Sequence, residues 1–200
     1  MKIKSVAAAV FMTALLAGGL LVGTPTPASA AGTAYYVSAA GNDSNSGRSS
    51  STPWKTLTKV NSVVLAPGDT VRFRRGDTWF GGIVTAQSGT STAPITLNGY
   101  GTGNPPTVTG GKSGNCIRIN GNYTIVDGLR GVACGYAGIS VTGDRNIVRN
   151  SSASNNAVGI KAGSGSDFGK YTGNTLTNKQ HHERENARNE LRNAPGREVQ

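Results

Sequence analysis

Ile95-Thr96-Leu97, Ile117-Arg118-Ile119, Ile139-Ser140-Val141 and Ile160-Lys161-Ala162 share an apolar–polar–apolar pattern, and their first residues are separated by 22, 22 and 21 positions. A second register runs beside the first: Ile125-Val126-Asp127 and Ile147-Val148-Arg149 are also 22 apart, with Gly or Asn in the turns between. Short strands that return at a period of about twenty residues, with no helical segment between them, point to a solenoid. A leucine-rich repeat needs a regular Leu framework that is absent, and a β-sandwich has no fixed-period return. A right-handed parallel β-helix, all-β in class, satisfies the pattern. Each coil turns its apolar residues inward, and because one coil cannot bury its own face, the neighbouring coils supply the core.

The segments around the repeat support this reading. Tyr35-Tyr36-Val37-Ser38 reads as a strand, and Gly41-Asn42-Asp43-Ser44-Asn45-Ser46-Gly47 as a dense turn cluster. Thr52 as N-cap and Pro53 at the first helical position predict a helix from Pro53 to Val64. Trp54, Leu57, Val60 and Val64 would form its apolar face. Such a helix suits the first coil, whose bare β-edge needs a cover. The expected organisation is a signal peptide over 1–30, an N-terminal strand and capping helix over 31–69, β-helix coils over 70–178, and an atypical charged tail over 179–200.

Lys2 and Lys4, an apolar run from Val6 to Val22, and Ala28-Ser29-Ala30 as a small-residue cleavage site form a secretory signal. They predict a secreted, extracellular product beginning at Ala31, with no membrane attachment after cleavage. Cys116 and Cys134 would then meet an oxidising environment. A disulfide between them and two small buried thiols are both open readings. From Ala31 to Asn178 there are thirteen Lys and Arg, six Asp and no Glu, a net charge of +7. Exported basic surfaces suit polyanions. An acidic polysaccharide is the expected partner and the chain is expected to be a monomer, with no nucleic acid expected.

Tyr35-Tyr36-Val37-Ser38-Ala39-Ala40-Gly41-Asn42-Asp43-Ser44, followed by Pro53-Trp54-Lys55-Thr56-Leu57, resembles the N-terminal cap of secreted bacterial right-handed β-helix proteins. That group includes the pectate-lyase-like polysaccharide lyases. Pro67-Gly68-Asp69-Thr70-Val71 and Ala93-Pro94-Ile95-Thr96-Leu97 are similar to the first coils of the same group. The resemblance implies fold and cap more firmly than activity, since a fold hosts many functions. Where lyase activity exists, it implies β-elimination at a uronate by a basic side chain, with a cation, often Ca²⁺ in intact relatives, neutralising the sugar carboxylate.

The residues that such chemistry needs do not cluster in the sequence. Asp127, Asp144 and Asp167 are spread singly and read as turn formers. His181 and His182, the only histidines, lie in the tail, which excludes a Ser–His–acid arrangement in the body. No catalytic residue and no metal ligand set is assigned. The middle residues of the repeated strands, Thr96, Arg118, Ser140 and Lys161, are expected to point outward as one stripe across successive coils and to form the substrate-binding face. The leading expectation is a secreted polysaccharide-active β-helix of lyase-like kind, and the alternative is a non-catalytic cell-surface scaffold or adhesin. Every Glu and every His lies between Lys179 and Gln200, and Leu191 is the one large aliphatic residue there before Val199. That tail predicts either a shifted reading frame or disorder, and a β-helix truncated after its first coils and inactive as it stands.

Overall fold

The computed structural model describes residues 32–111 and 114–177; the expected signal peptide over 1–30 and the tail over 179–200 lie outside them. The elements run β1 (Ala34–Val37), α1 (Leu57–Asn61), β2 (Thr70–Arg74), β3 (Thr78–Phe80), β4 (Ile83–Thr85), β5 (Ile95–Tyr100), β6 (Thr107–Gly111), β7 (Ile117–Ile119) and β8 (Thr124–Asp127). They continue with β9 (Arg130–Cys134), β10 (Ala137–Val141), β11 (Ile147–Arg149), β12 (Ser152–Ser154), β13 (Val158–Ala162), β14 (Lys170–Thr172) and β15 (Thr175–Thr177). All strand pairs are parallel and fall into three sheets: β1-β2-β5-β8-β11-β14 (sheet A), β3-β6-β9-β12-β15 (sheet B) and β4-β7-β10-β13 (sheet C). The chain visits A, B and C in turn and returns one strand higher each time. This is a parallel β-helix.

Side-chain alternation on the strands builds the core. Ile83, Ile117, Ile139 and Ile160 stack in register on the inner side of sheet C. Tyr35, Val71, Leu97, Val126, Val148 and Tyr171 form the inner column of sheet A. Trp79, Val108, Gly131, Ala153 and Leu176 form that of sheet B. A Cβ on Gly131 would lie 2.6 Å from the Gly138 carbonyl oxygen, so the close approach of sheets B and C there requires glycine.

Two expectations are corrected. Ile95 and Thr96 belong to sheet A, not to the column of Ile117, because the true sheet-C predecessor of Ile117 is Ile83. The helix spans Leu57–Asn61, with Thr56 rather than Thr52 as its N-cap. Residues 52–56 are instead not helical, and Thr56 is extended. Trp54 bridges to Val37, and Asp43 Oδ1 accepts the backbone N–H groups of Lys55 and Thr56 at 2.8 and 2.9 Å. The short helix buries Leu57 and Val60, and its Asn61 side chain donates to Gly82 O and accepts from Val84 N. Asn61 thereby satisfies part of the free edge of β4, the first strand of sheet C.

Candidate functional site

The outward column of sheet C is Val84–Arg118–Ser140–Lys161. The structure thus brings Arg118, Ser140 and Lys161 onto one face and leaves Thr96 out. Thr96 stands between Thr70 and Ile125 on sheet A. Strands in a sheet lie about 4.8 Å apart, so Arg118 and Lys161 are roughly 10 Å apart at their backbones, two strand steps. Ser140 is 6% exposed, not a fully open position, because its short side chain is sheltered between its longer register neighbours. Lys161 Nζ donates to the Tyr136 hydroxyl at 2.7 Å and lies 4.7 Å from the centre of the Tyr136 ring. The ring quadrupole attracts the ammonium and helps to hold it in place.

Beside this face runs the disulfide. Cys116 lies just before β7, and Cys134 ends β9, in register with Gly111 one coil below. The two sulfurs are bonded, with a Cα–Cα distance of 5.6 Å, and the loop so closed is one turn of the solenoid.

The outward side of sheet A carries a second polar column: Tyr36, Arg72, Asn98, Asp127, Arg149 and Thr172. Arg74 and Tyr100 pair in register next to it. Tyr36 and Tyr100 meet edge to face, ring centres 5.1 Å apart, and the Arg72 guanidinium lies 5.7 Å from the Tyr36 ring. At the other end, Arg149 Nε donates to Asp127 Oδ2 at 2.9 Å, and Asn150 donates to Asp127 Oδ1 at 3.0 Å. The column is not apparent in the sequence, because its members are separated by unequal intervals. The dense Arg72-Phe73-Arg74-Arg75 run is the one local signal for it.

Five of the six Asp side chains of the body serve the framework. Asp43 holds Lys55 and Thr56, Asp69 accepts from Thr33 N and Ala66 N, and Asp77 accepts from Ser38 and Ala39 N. Asp127 is paired as above, and Asp144 accepts the Asp167 N–H at 2.9 Å. Desolvation is the largest single influence on Asp43 and acts upward. The Thr56 hydroxyl, the Thr56 and Lys55 N–H groups and the Lys59 charge outweigh it together, so the carboxyl sits below its ordinary range. Among the described residues no three acidic, Cys or His side chains converge on one point. A Ca²⁺ ion needs six to eight converging oxygens. The described carboxylates do not fit it.

A third exposed feature is a stack along one corner. Arg145 lies 5.7 Å from the Tyr123 ring and 4.8 Å from the Phe168 ring, and all three residues have positive φ, between 51° and 56°.

No protein-family profile matches the chain. A stretch of 75 residues, 35% of the chain, is 44% identical to part of a lacto-N-biosidase from Bifidobacterium longum subsp. longum, and covers 5% of that protein. In three dimensions the chain is similar to a GH136 lacto-N-biosidase from Eubacterium ramulus, with TM-score 0.67 and 17% identity, covering 74% of this chain and 35% of that one. It is also similar to the pectate lyase Pel9A, with TM-score 0.60 and 23% identity, covering 70% and 38% respectively. These structural likenesses show a shared β-helix fold.

Proposed function

We propose that this chain is a β-helix of an exported protein that engages acidic polysaccharide. The observation that carries the reading is the register Arg118↔Ser140↔Lys161, which sets two cations and an intervening hydroxyl on one face of sheet C. Two positive groups about two strand steps apart suit a polymer bearing repeated carboxylates. The stretch related to a lacto-N-biosidase, and the fold shared with that enzyme class and with a pectate lyase, support a carbohydrate as the partner. Export rests on Lys2, Lys4, the Val6–Val22 run and Ala28-Ser29-Ala30.

We assign these coils a binding role, because five of the six body carboxylates serve framework hydrogen bonds and so offer neither a converging cation site nor a carboxylate pair for glycoside hydrolysis. The same commitment favours a second reading, a non-catalytic surface scaffold. Incubation with polygalacturonate separates the two roles. Retention on the polymer without release of unsaturated products is expected. Rapid appearance of unsaturated uronate would instead establish a lyase, and equal retention on uncharged galactan would remove the acidic-glycan reading.

A further inference from the structure

At the β1 end of the solenoid the three sheets are finished differently. Sheet A runs on into β1, whose own outer side bonds to Gly47 and Trp54. Sheet C begins at β4, where Asn61 of α1 bonds to Gly82 O and Val84 N. Sheet B begins at β3, and among the described residues nothing pairs with its outer edge. On the inner side, Asp77 O accepts from Thr107 N at 3.1 Å and Gly81 N donates to Thr109 O at 2.9 Å. Successive residues of a parallel strand turn their N–H and C=O to opposite neighbours. Thr78 and Phe80 therefore present both groups away from β6, two donors and two acceptors repeating over roughly 7 Å. An open edge of this kind is a template for another strand.

That edge borders a cleft of about 490 Å³. Thr78 through Gly82 line it together with Lys55, Thr58, Asn61 and Ala39. Trp79 Nε1 donates to Lys55 O at 2.9 Å, Asn61 Nδ2 to Gly82 O at 2.8 Å, and Ala39 N to Asp77 Oδ2 at 2.8 Å. Each wall is thus tied to β3 or to a residue flanking it. An occupant meets a cleft already in place and does not have to order it.

The groups on the lining select the occupant. N–H and C=O groups at two-residue spacing match the backbone of an extended peptide, as in recognition by strand addition. Phe80, 78% exposed, supplies apolar surface beside the edge. Lys55 is exposed, is the one charged side chain on the lining, and forms no ion pair among the described residues. A carboxylate on the added strand complements that charge.

We propose that the outer edge of β3 is a strand-addition site for an extended, acidic polypeptide segment of a partner protein. The added strand pairs backbone to backbone with Thr78 and Phe80, sets an apolar side chain against the Phe80 ring and turns a carboxylate toward Lys55. Arg118, Ser140 and Lys161 are not on the lining, so the site is independent of glycan binding on sheet C.

The test is amide hydrogen exchange of the protein, followed residue by residue by NMR, with a heptapeptide of alternating valine and glutamate as the probe. The Thr78 and Phe80 N–H groups should exchange fast in the free protein. Peptide at about ten times its Kd should slow both about tenfold. The same sequence N-methylated at every residue should give no protection, because it cannot donate to the edge. A peptide with lysine in place of glutamate should bind tenfold or more weakly, and Lys55→Glu should reverse the order of the two. Thr78→Pro removes one edge donor and should weaken binding, read at Phe80; proline is tolerated on the open side of an edge strand. Should that variant lower the unfolding midpoint, Lys55→Glu, at an exposed side chain, carries the test alone. Arg118→Glu with Lys161→Glu should leave the protection unchanged. Protection by the N-methylated peptide, equal protection by the glutamate and lysine peptides, protection lost in the sheet-C double variant, or no protection at all would each overturn the assignment. Protection of Thr78 and Phe80 that grows with protein concentration in the absence of peptide would overturn it as well, by giving the edge to a second copy of the chain.

Discussion

Asn146 Oδ1 accepts the backbone N–H of Thr124, one coil below, at 2.7 Å. Its Nδ2 donates to Gly121 O and Gly143 O at 2.9 and 2.8 Å, so a single buried amide ties two coils together and closes its own turn. Asn156 repeats the device against Cys134 N and Gly131 O, and Asn174 against Ser151 N and Val148 O. Turn backbone at these corners would otherwise leave buried polar groups unpaired.

Asn146→Ala should therefore lower stability by about 2–4 kcal/mol, because it orphans one N–H and two carbonyls at a site 1% exposed. Urea unfolding monitored by circular dichroism measures it. A loss below about 0.5 kcal/mol would mean that the amide carries no weight between the coils.

Removing the Cys116–Cys134 bond should cost about 3 kcal/mol, the loop-closure value for a ring of roughly this length. For a domain of this size that is a fall in Tm of about 6–12 °C. Scanning calorimetry of the double Cys→Ala variant checks it, and an unchanged Tm would show that stacking alone fixes this turn.

Ile139→Asp should prevent cooperative folding, since a fully buried Ile is worth about 1.5–3 kcal/mol and an unpaired buried carboxylate adds a larger penalty. Ser140→Asp, one position along, should still fold, because the new carboxylate lies between Arg118 and Lys161. Equal behaviour of the two variants would contradict the inward–outward alternation of β10.

Acid should loosen the N-terminal end. Asp43 has a depressed pKa in the folded protein, so its contribution is fully present above the ordinary carboxyl value and is lost as pH falls below it through the depressed one. Asp43→Asn should flatten this part of the stability–pH curve. A curve from pH 5 to pH 2 identical in wild type and variant would assign the acid sensitivity elsewhere.

The later coils were legible because their spacing is regular. Ile117, Ile139 and Ile160 recur at 22 and 21 positions and do stack. The early coils were not, because their turns vary in length. The sheet-A positions Thr70, Thr96, Ile125, Ile147 and Lys170 fall at intervals of 26, 29, 22 and 23. Ile95 precedes Ile117 by 22 residues on an unrelated sheet, while its true column mate Ile83 lies 34 back. Unequal spacing likewise hid the column from Tyr36 to Arg149. At the N-terminal end, Thr52-Pro53 has the chemistry of a helix start, but pairing of Trp54 with Val37 overrides that local preference and delays the helix to Leu57.

Isothermal titration of the protein with polygalacturonate, at low and high salt, is the sharpest test of acidic-glycan binding. Saturable binding is expected, weakening as salt rises because exposed charge attraction is screened over about 8–10 Å. Arg118→Glu with Lys161→Glu should weaken it further, and uncharged galactan should give no heat. Binding indifferent to salt and to the double charge reversal, or no binding at any salt, would contradict the account.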